Sequence, residues 1–274
     1  MEGRSMRIKA NGIHMNYELT GKDDGAVVIF SHSLGCSLAM WDPQTGSLEP
    51  HFRVLRYDTR GHGLSQASVG AYTLELLGED AIALLDALGI DAVHWVGLSM
   101  GGMIGQYLAL NHADRLESLI LCDTSAAIPE EALPLWQERI DAARDKGMEA
   151  VIEPIIERWL SHSFVALNPV MVRRIREQFL ATPVDGYVGC CQAISKLNYL
   201  DQLAKINIPT LIIVGEDDPG TPVAASKAMH ERIPNSKLIV IPSARHLSNV
   251  EQPKLFNTAL LDFLGKESKT GVNH

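Results

Sequence analysis

The stretch Gly97-Leu98-Ser99-Met100-Gly101 limits what this chain can fold into more than any other. Before it comes Ala-Val-His-Trp-Val (92–96), whose β-branched and aromatic content suits a buried strand. After it, Met-Ile-Gly-Gln-Tyr-Leu-Ala-Leu (103–110) carries apolar positions at helical spacing. G-x-S-x-G between a strand and a helix is the pattern of a nucleophile elbow. The chain reverses so sharply there that a side chain at 97 or 101 is expected to collide with neighbouring backbone. The turn lifts the Ser99 hydroxyl to the carboxyl edge of a sheet, and the new helix aims its free backbone N–H groups at whatever binds.

The flanking sequence supplies the sheet that an elbow requires. Residues 7–10 and 13–19 alternate around Asn11-Gly12, the strongest short hairpin signal. Runs 27–30, 53–57, 116–122, 210–214 and 237–241 read as further strands, with strand 92–97 among them. Helices are predicted over 40–48, over 74–88 behind the cap Thr73 and before the stop Gly89, over 223–232 and over 250–264. Strands alternating with helices predict an α/β fold, a mostly parallel twisted sheet with helices on both faces. From 129 to 206 the strand pattern ceases. Helical stretches take its place at 133–146, 148–160, 169–181 and 187–197, with breaks at Gly147, His162-Ser163 and 182–186. The expected organisation is a discontinuous core, 6–128 and 207–266, carrying an inserted helical cap, 129–206. Flexible termini are expected at 1–5 and 267–274.

Bulk properties narrow the partners. The net charge of −9 disfavours nucleic acid and anionic membranes, and an anionic substrate would need local cations. No apolar run reaches the length of a bilayer span, and the N-terminus lacks the apolar core of a signal peptide, so a cytoplasmic protein is expected. Cys36, Cys122, Cys190 and Cys191 are too few and too scattered for a disulfide framework. Neither C-x-x-C pairs nor histidine clusters offer metal-ligand spacing, so buried reduced thiols and no metal are expected.

A serine hydroxyl attacks only when a base takes its proton, and histidine is the natural base, oriented by a carboxylate. Behind an elbow the chain order is serine, acid, histidine. His246 follows the last strand. Asp217 and Asp218 follow the strand before it, either of them suitable, while Glu216 reads as structural or exposed. The oxyanion of a tetrahedral intermediate needs preorganised donors. The Met100 N–H is one, and the Leu34 N–H, eased into place by Gly35, is the candidate for the other.

These residues together resemble the α/β-hydrolase fold family over 6–266. The matching pieces are His32-Ser33-Leu34-Gly35, Asp58-Thr59-Arg60-Gly61-His62-Gly63-Leu64-Ser65, the elbow, Gly215-Glu216-Asp217-Asp218 through Pro222, and His246. In such proteins the acid usually stands three residues after the strand-end glycine and four before a proline, which implies Asp218. Ser33 departs from the pattern, since glycine commonly follows the histidine. Ser31 to Gly35, Gly97 to Gly102, and the cap stretch Ala-Thr-Pro-Val-Asp-Gly-Tyr-Val-Gly-Cys-Cys-Gln-Ala-Ile (181–194) are similar to 3-oxoadipate enol-lactonases. That resemblance implies cofactor-free hydrolysis of a small enol-lactone bearing a free carboxylate. Ser99, Asp218 and His246 would form the catalytic triad, with Leu34 and Met100 as the oxyanion hole.

The substrate carboxylate would need a cation. Trp136 and Arg139 share a face of the first cap helix and are the candidates, with Arg158, Arg173, Arg174 and Arg176 as rivals. Another carboxylester hydrolase, a carbon–carbon bond hydrolase, a perhydrolase or a non-catalytic ligand-binding scaffold are the alternative readings on this fold. The sequence does not fix the oligomeric state.

Overall fold

In the computed structural model, which describes residues 5–270, the Asn11-Gly12 turn closes a two-residue hairpin. Strands β1 (Met6–Ala10) and β2 (Ile13–Gly21) pair antiparallel with Ala10 opposite Ile13, and both turn residues have positive φ, 43° and 79°. Such a turn matches the natural twist of the strands it joins. The remaining strands are β3 (Val27–Ser31), β4 (Arg53–Tyr57), β5 (Val93–Leu98), β6 (Leu116–Cys122), β7 (Thr210–Gly215) and β8 (Lys237–Ile241). They form one eight-stranded sheet in the order β1-β2-β4-β3-β5-β6-β7-β8. The sheet is parallel from β4 to β8, and β2 pairs antiparallel with both β1 and β4. Every residue of β5 and of β7 is buried, as expected of strands covered on both faces.

Helices α1 (Asp42–Leu48), α2 (Leu74–Ala87) and α3 (Met100–Asn111) join the first parallel strands. Thr73 caps α2 by accepting the Leu76 N–H at 3.0 Å, and Gly89 leaves it at φ 65°. The indole of the fully buried Trp95 in β5 donates to the Gly101 carbonyl at 3.0 Å, tying the core to the start of α3.

Between β6 and β7 run α4 (Leu133–Lys146), α5 (Ile152–Trp159), α6 (His162–Leu167), α7 (Pro169–Leu180) and α8 (Val184–Ile194). Two expectations need correction here. His162-Ser163 begins a helix, because Ser161 caps α6 by accepting the Phe164 N–H at 3.2 Å. The stretch 184–186 lies inside α8, whose first turn starts behind Pro183. Gly186 has a further role. A side chain there would strike the Gly61 carbonyl, and one at Gly61 would strike the Gly186 backbone, so α8 lies directly against the loop after β4.

Helix α9 (Val223–His230) precedes β8. The final segment divides into α10 (Ser248–Glu251) and α11 (Pro253–Thr270) in place of the single helix expected over 250–264. Pro253 has no N–H to continue α10, and Gln252 at φ −127°, ψ 57° makes the break. Helix α11 continues six residues beyond the expected end at Leu264. Residues 1–4 and 271–274, in the expected flexible termini, lie outside the described residues. Because β3, β5, β7 and β8 are parallel, the loops at 32–35, 99–101, 216–221 and 242–246 share one edge of the sheet. Open α/β sheets bind ligands at that edge.

Candidate active site

Ser99 stands between β5 and α3 at φ 54°, ψ −114°, a strained conformation for a residue with a side chain. Its surroundings impose it. The Ser99 N–H donates to the Cys122 carbonyl at 2.8 Å. Its own carbonyl accepts the Gly102 N–H, the Met103 N–H and the Thr124 hydroxyl at 2.9, 3.0 and 2.8 Å. A Cβ at Gly97 would run into the Gly101 carbonyl, and one at Gly101 into the Ser31 carbonyl, which is the collision the sequence led us to expect. Ser99, Leu34 and His246 line one cavity of about 280 Å³. Met100 is the first residue of α3, so its N–H has no partner one turn back in the helix.

His246 Nδ1 lies 2.8 Å from Asp218 Oδ2. The same carboxylate accepts the Gly220 N–H at 2.7 Å, the Thr221 N–H at 3.1 Å and the Thr221 hydroxyl. Burial alone would raise the Asp218 pKa. The charge of His246 and these hydrogen bonds outweigh it and hold the carboxyl down to about 2. Asp217 is exposed and engages the neighbouring loop only through its backbone, N–H to the Ala244 carbonyl at 2.9 Å. Glu216 is exposed as well and accepts the Ser243 N–H. Of the three acids, Asp218 alone faces the imidazole.

Two buried histidines brace the loop at 32–35. His32 Nε2 accepts the Thr59 N–H at 3.0 Å while its Nδ1 contacts the Ser33 carbonyl at 2.7 Å. His62 Nε2 accepts the Gly35 N–H at 2.9 Å, and Gly35 itself sits at φ 74°. Burial lowers His32 to about 4. Burial and the adjacent His32 together lower His62 to about 3. Both folded-state values lie below the ordinary 6.5, so the neutral rings contribute stability that is complete above about pH 6.5 and is lost as pH falls toward 4 and 3. That contribution is about 3 kcal/mol for His32 and about 5 kcal/mol for His62. Thermal melting followed from pH 7 to pH 4.5 is expected to show a falling Tm. In His62→Gln, whose amide oxygen takes the Gly35 N–H without binding a proton, the fall should be shallower. An unchanged slope would mean that His62 plays no part in the loss of stability in acid.

A family model described as alpha/beta hydrolase fold matches residues 26–253. The chain belongs to the α/β-hydrolase fold family. The 3-oxoadipate enol-lactonase 2 of Acinetobacter baylyi is 38% identical over 253 residues, which span 92% of this chain and 94% of that protein. A putative carbamate hydrolase of Caulobacter sp. (strain K31) is 33% identical, covering 89% and 92% of the two chains. The crystal structure of the enol-lactonase from Burkholderia xenovorans LB400 superposes with a TM-score of 0.92 at 36% identity, covering 95% of this chain and all of that one.

In this α/β-hydrolase the far wall of the cavity comes from the helices between β6 and β7. Trp136 and Arg139 of α4 both line it, the guanidinium lying 4.9 Å from the indole centroid. Of the rival cations only Arg158 of α5 lines it too. Arg174 is paired with Asp42, Arg176 with Glu153 and Arg173 with Glu177. Among the described residues no hydrogen bond or ion pair engages Arg139 or Arg158. Burial and the charge of Arg139 lower the Arg158 pKa. Tyr187, inside the stretch 181–194 but given no role from sequence, is fully buried on the same wall, and its hydroxyl has no partner stronger than the Cys191 thiol beside it. The sequence reading missed Thr221, which braces Asp218. A hydroxyl residue three positions after the acid, in a turn, was the available signal for Thr221. For Tyr187 the signal was its place in the stretch 181–194, which does not say which of those side chains faces the cavity.

All four cysteines are buried and free, and burial pushes Cys191 up to about 12. No helix among the described residues is long and apolar enough to cross a membrane.

Proposed function

We propose that this chain opens the lactone ring of 3-oxoadipate enol-lactone to give 3-oxoadipate, through an acyl-enzyme at Ser99. The observation that carries the reading is a single cavity bearing Ser99 and His246 together with two unpaired guanidiniums, Arg139 and Arg158. A cavity of this kind suits a ligand with a reactive carbonyl and a carboxylate. The relatives named enol-lactonases support the same reading.

In this mechanism Ser99 Oγ attacks the lactone carbonyl while its proton passes to His246 Nε2. Asp218, ionised at neutral pH, holds Nδ1–H and stabilises the imidazolium. The N–H groups of Met100 and Leu34 stabilise the oxyanion. As the ring C–O bond breaks, His246 returns the proton to the departing enol oxygen. The enol relaxes to the ketone, and a water activated by His246 hydrolyses the acyl-enzyme. No step calls for a cofactor. Residues 129–206 act as the cap over the core formed by 6–128 and 207–266. Trp136 walls the pocket, and Arg139, Arg158 and the Tyr187 hydroxyl hold the carboxylate, which must exchange water for strong donors.

The test compares turnover of the enol-lactone, mono-p-nitrophenyl glutarate and neutral p-nitrophenyl butyrate. Losing one charged hydrogen-bond donor to a carboxylate costs about 1.5–3 kcal/mol. Arg139→Ala and Arg158→Ala are therefore each expected to lower kcat/KM by roughly 10- to 100-fold on the two anionic substrates and far less on the neutral ester. Equal losses on all three substrates would overturn the carboxylate assignment. A protein active on simple carbamates and inert toward the lactone would favour the reaction named for the Caulobacter relative.

A further inference from the structure

The strand-end loop at 32–35 holds a buried side chain that takes no part in the triad or the carboxylate site. Ser33 is 1% exposed, lines the cavity beside Ser99, and its Oγ has no hydrogen-bond partner. A buried hydroxyl without a partner is a net cost to a fold, since it has given up water and gained nothing. The polar side chains on either side of it, and the backbone groups that shape the loop, are engaged. Ser31 Oγ meets the Tyr57 hydroxyl at 3.0 Å, the Ser33 carbonyl takes the Cys36 N–H at 3.1 Å, and Gly35 N–H is held by His62. Among the side chains of this loop only that of Ser33 is left over, at the position where related chains commonly carry glycine.

We propose that the Ser33 hydroxyl donates a hydrogen bond directly to the substrate's reacting carbonyl oxygen, as a third donor beside the Leu34 and Met100 N–H groups. The placement follows from the sheet. Strands β3 and β5 are parallel neighbours with Ser31 opposite Gly97, so Ser33 and Ser99 stand each two residues further on, past the ends of adjacent strands. At the same edge the start of α3 presses on the Ser31 backbone, leaving no room between Gly101 and β3. Within the loop, Ser33 Oγ and the Leu34 N–H are separated by four covalent bonds, so both can converge on one oxygen. The backbone bearing them is fixed by His32 and His62, so only the Ser33 side chain has to turn for its hydroxyl to meet that oxygen. No proton leaves Ser33 and no bond to it forms. Its hydrogen stays on Oγ and shifts its partner from nothing to the oxyanion.

This inference rests on the serine-hydrolase reading, and the experiment separates the two. Ser33→Ala and Ser33→Gly are assayed against p-nitrophenyl acetate and mono-p-nitrophenyl glutarate, with Ser99→Ala as control. Both Ser33 variants are expected to lose about tenfold in kcat on both esters with KM within about twofold, because the donor acts on the carbonyl oxygen common to them. The rate at which a fluorophosphonate labels Ser99 should fall by a similar factor. The Tm of Ser33→Ala is expected at or above the parent value, since the hydroxyl removed bonds to nothing in the free protein; a structural role would lower it. Unchanged kcat, a loss confined to KM, or a Tm that falls along with kcat would each overturn the proposal. Ser99→Ala retaining full turnover would instead overturn the hydrolase reading itself.

Discussion

Ser99→Ala is expected to lower kcat on any ester this protein turns over by at least about 10⁴-fold, with the protein still folded. Removing the nucleophile of a serine hydrolase costs about as much as removing the whole triad, leaving only what binding and the oxyanion donors supply. The backbone around residue 99 does not depend on the hydroxyl. The four hydrogen bonds that hold its strained φ all run through the Ser99 N–H and carbonyl, and alanine keeps both. The check is kcat together with the mass of the protein after fluorophosphonate treatment. The parent should gain one adduct on Ser99, and the variant none. A variant that keeps its turnover, or a parent that takes up no adduct while a control esterase does, would return the chain to the class of ligand-binding scaffolds.

Asp218→Asn is expected to cost about 10³- to 10⁴-fold in kcat with little change in KM. Asparagine preserves the shape of the turn, since its carbonyl oxygen can still accept the Gly220 and Thr221 N–H groups. Its amide nitrogen, however, presents a donor to His246 Nδ1, where the carboxylate presents an acceptor. The imidazole then carries its hydrogen on Nε2 and has no lone pair for the Ser99 proton. Stability should report the same carboxylate. Its folded-state value near 2 lies below the ordinary 3.8, so its contribution is complete above about pH 4 and is lost as pH falls toward 2. Denaturation of the parent and of Asp218→Asn, compared at pH 6 and pH 3, should show a gap that narrows in acid. A gap that does not depend on pH would mean that Asp218 is not ionised in the folded protein.

How far such positions are legible in the sequence depends on whether their signal is local. The hairpin at Asn11-Gly12, the cap at Thr73 and the elbow at 97–101 are each specified by residues within a few positions, and each forms as read. Asp218 and His246 likewise follow strand ends, so their meeting at 2.8 Å is a consequence of strand order. The inserted helices behave differently. His162-Ser163 reads as a break, yet Ser161 turns it into a helix start. The stretch 184–186 reads as turn and becomes the first turn of α8, because Gly186 is needed against Gly61. Choosing among five arginines depends on which helix face turns inward, and that is decided by packing between helices. Arg158, flanked by buried Ile155, Ile156 and Trp159, reaches the cavity, while Arg173, Arg174 and Arg176 are spent on acids elsewhere.

The meeting of Gly61 and Gly186 sets a limit on how a pocket like this one can be enlarged. Two absent methyl groups let the α8 backbone rest on the β4 loop, so that helix behaves as a riveted floor beam. Its height cannot be adjusted by exchanging side chains. Room for a longer ligand has to come from trimming the side chains that line the cavity, and α4 and α5 offer three large ones at Trp136, Ile155 and Trp159. Among relatives sharing this joint, substrate length should therefore track residue size on those two helices, with the spacing between α8 and the sheet left constant.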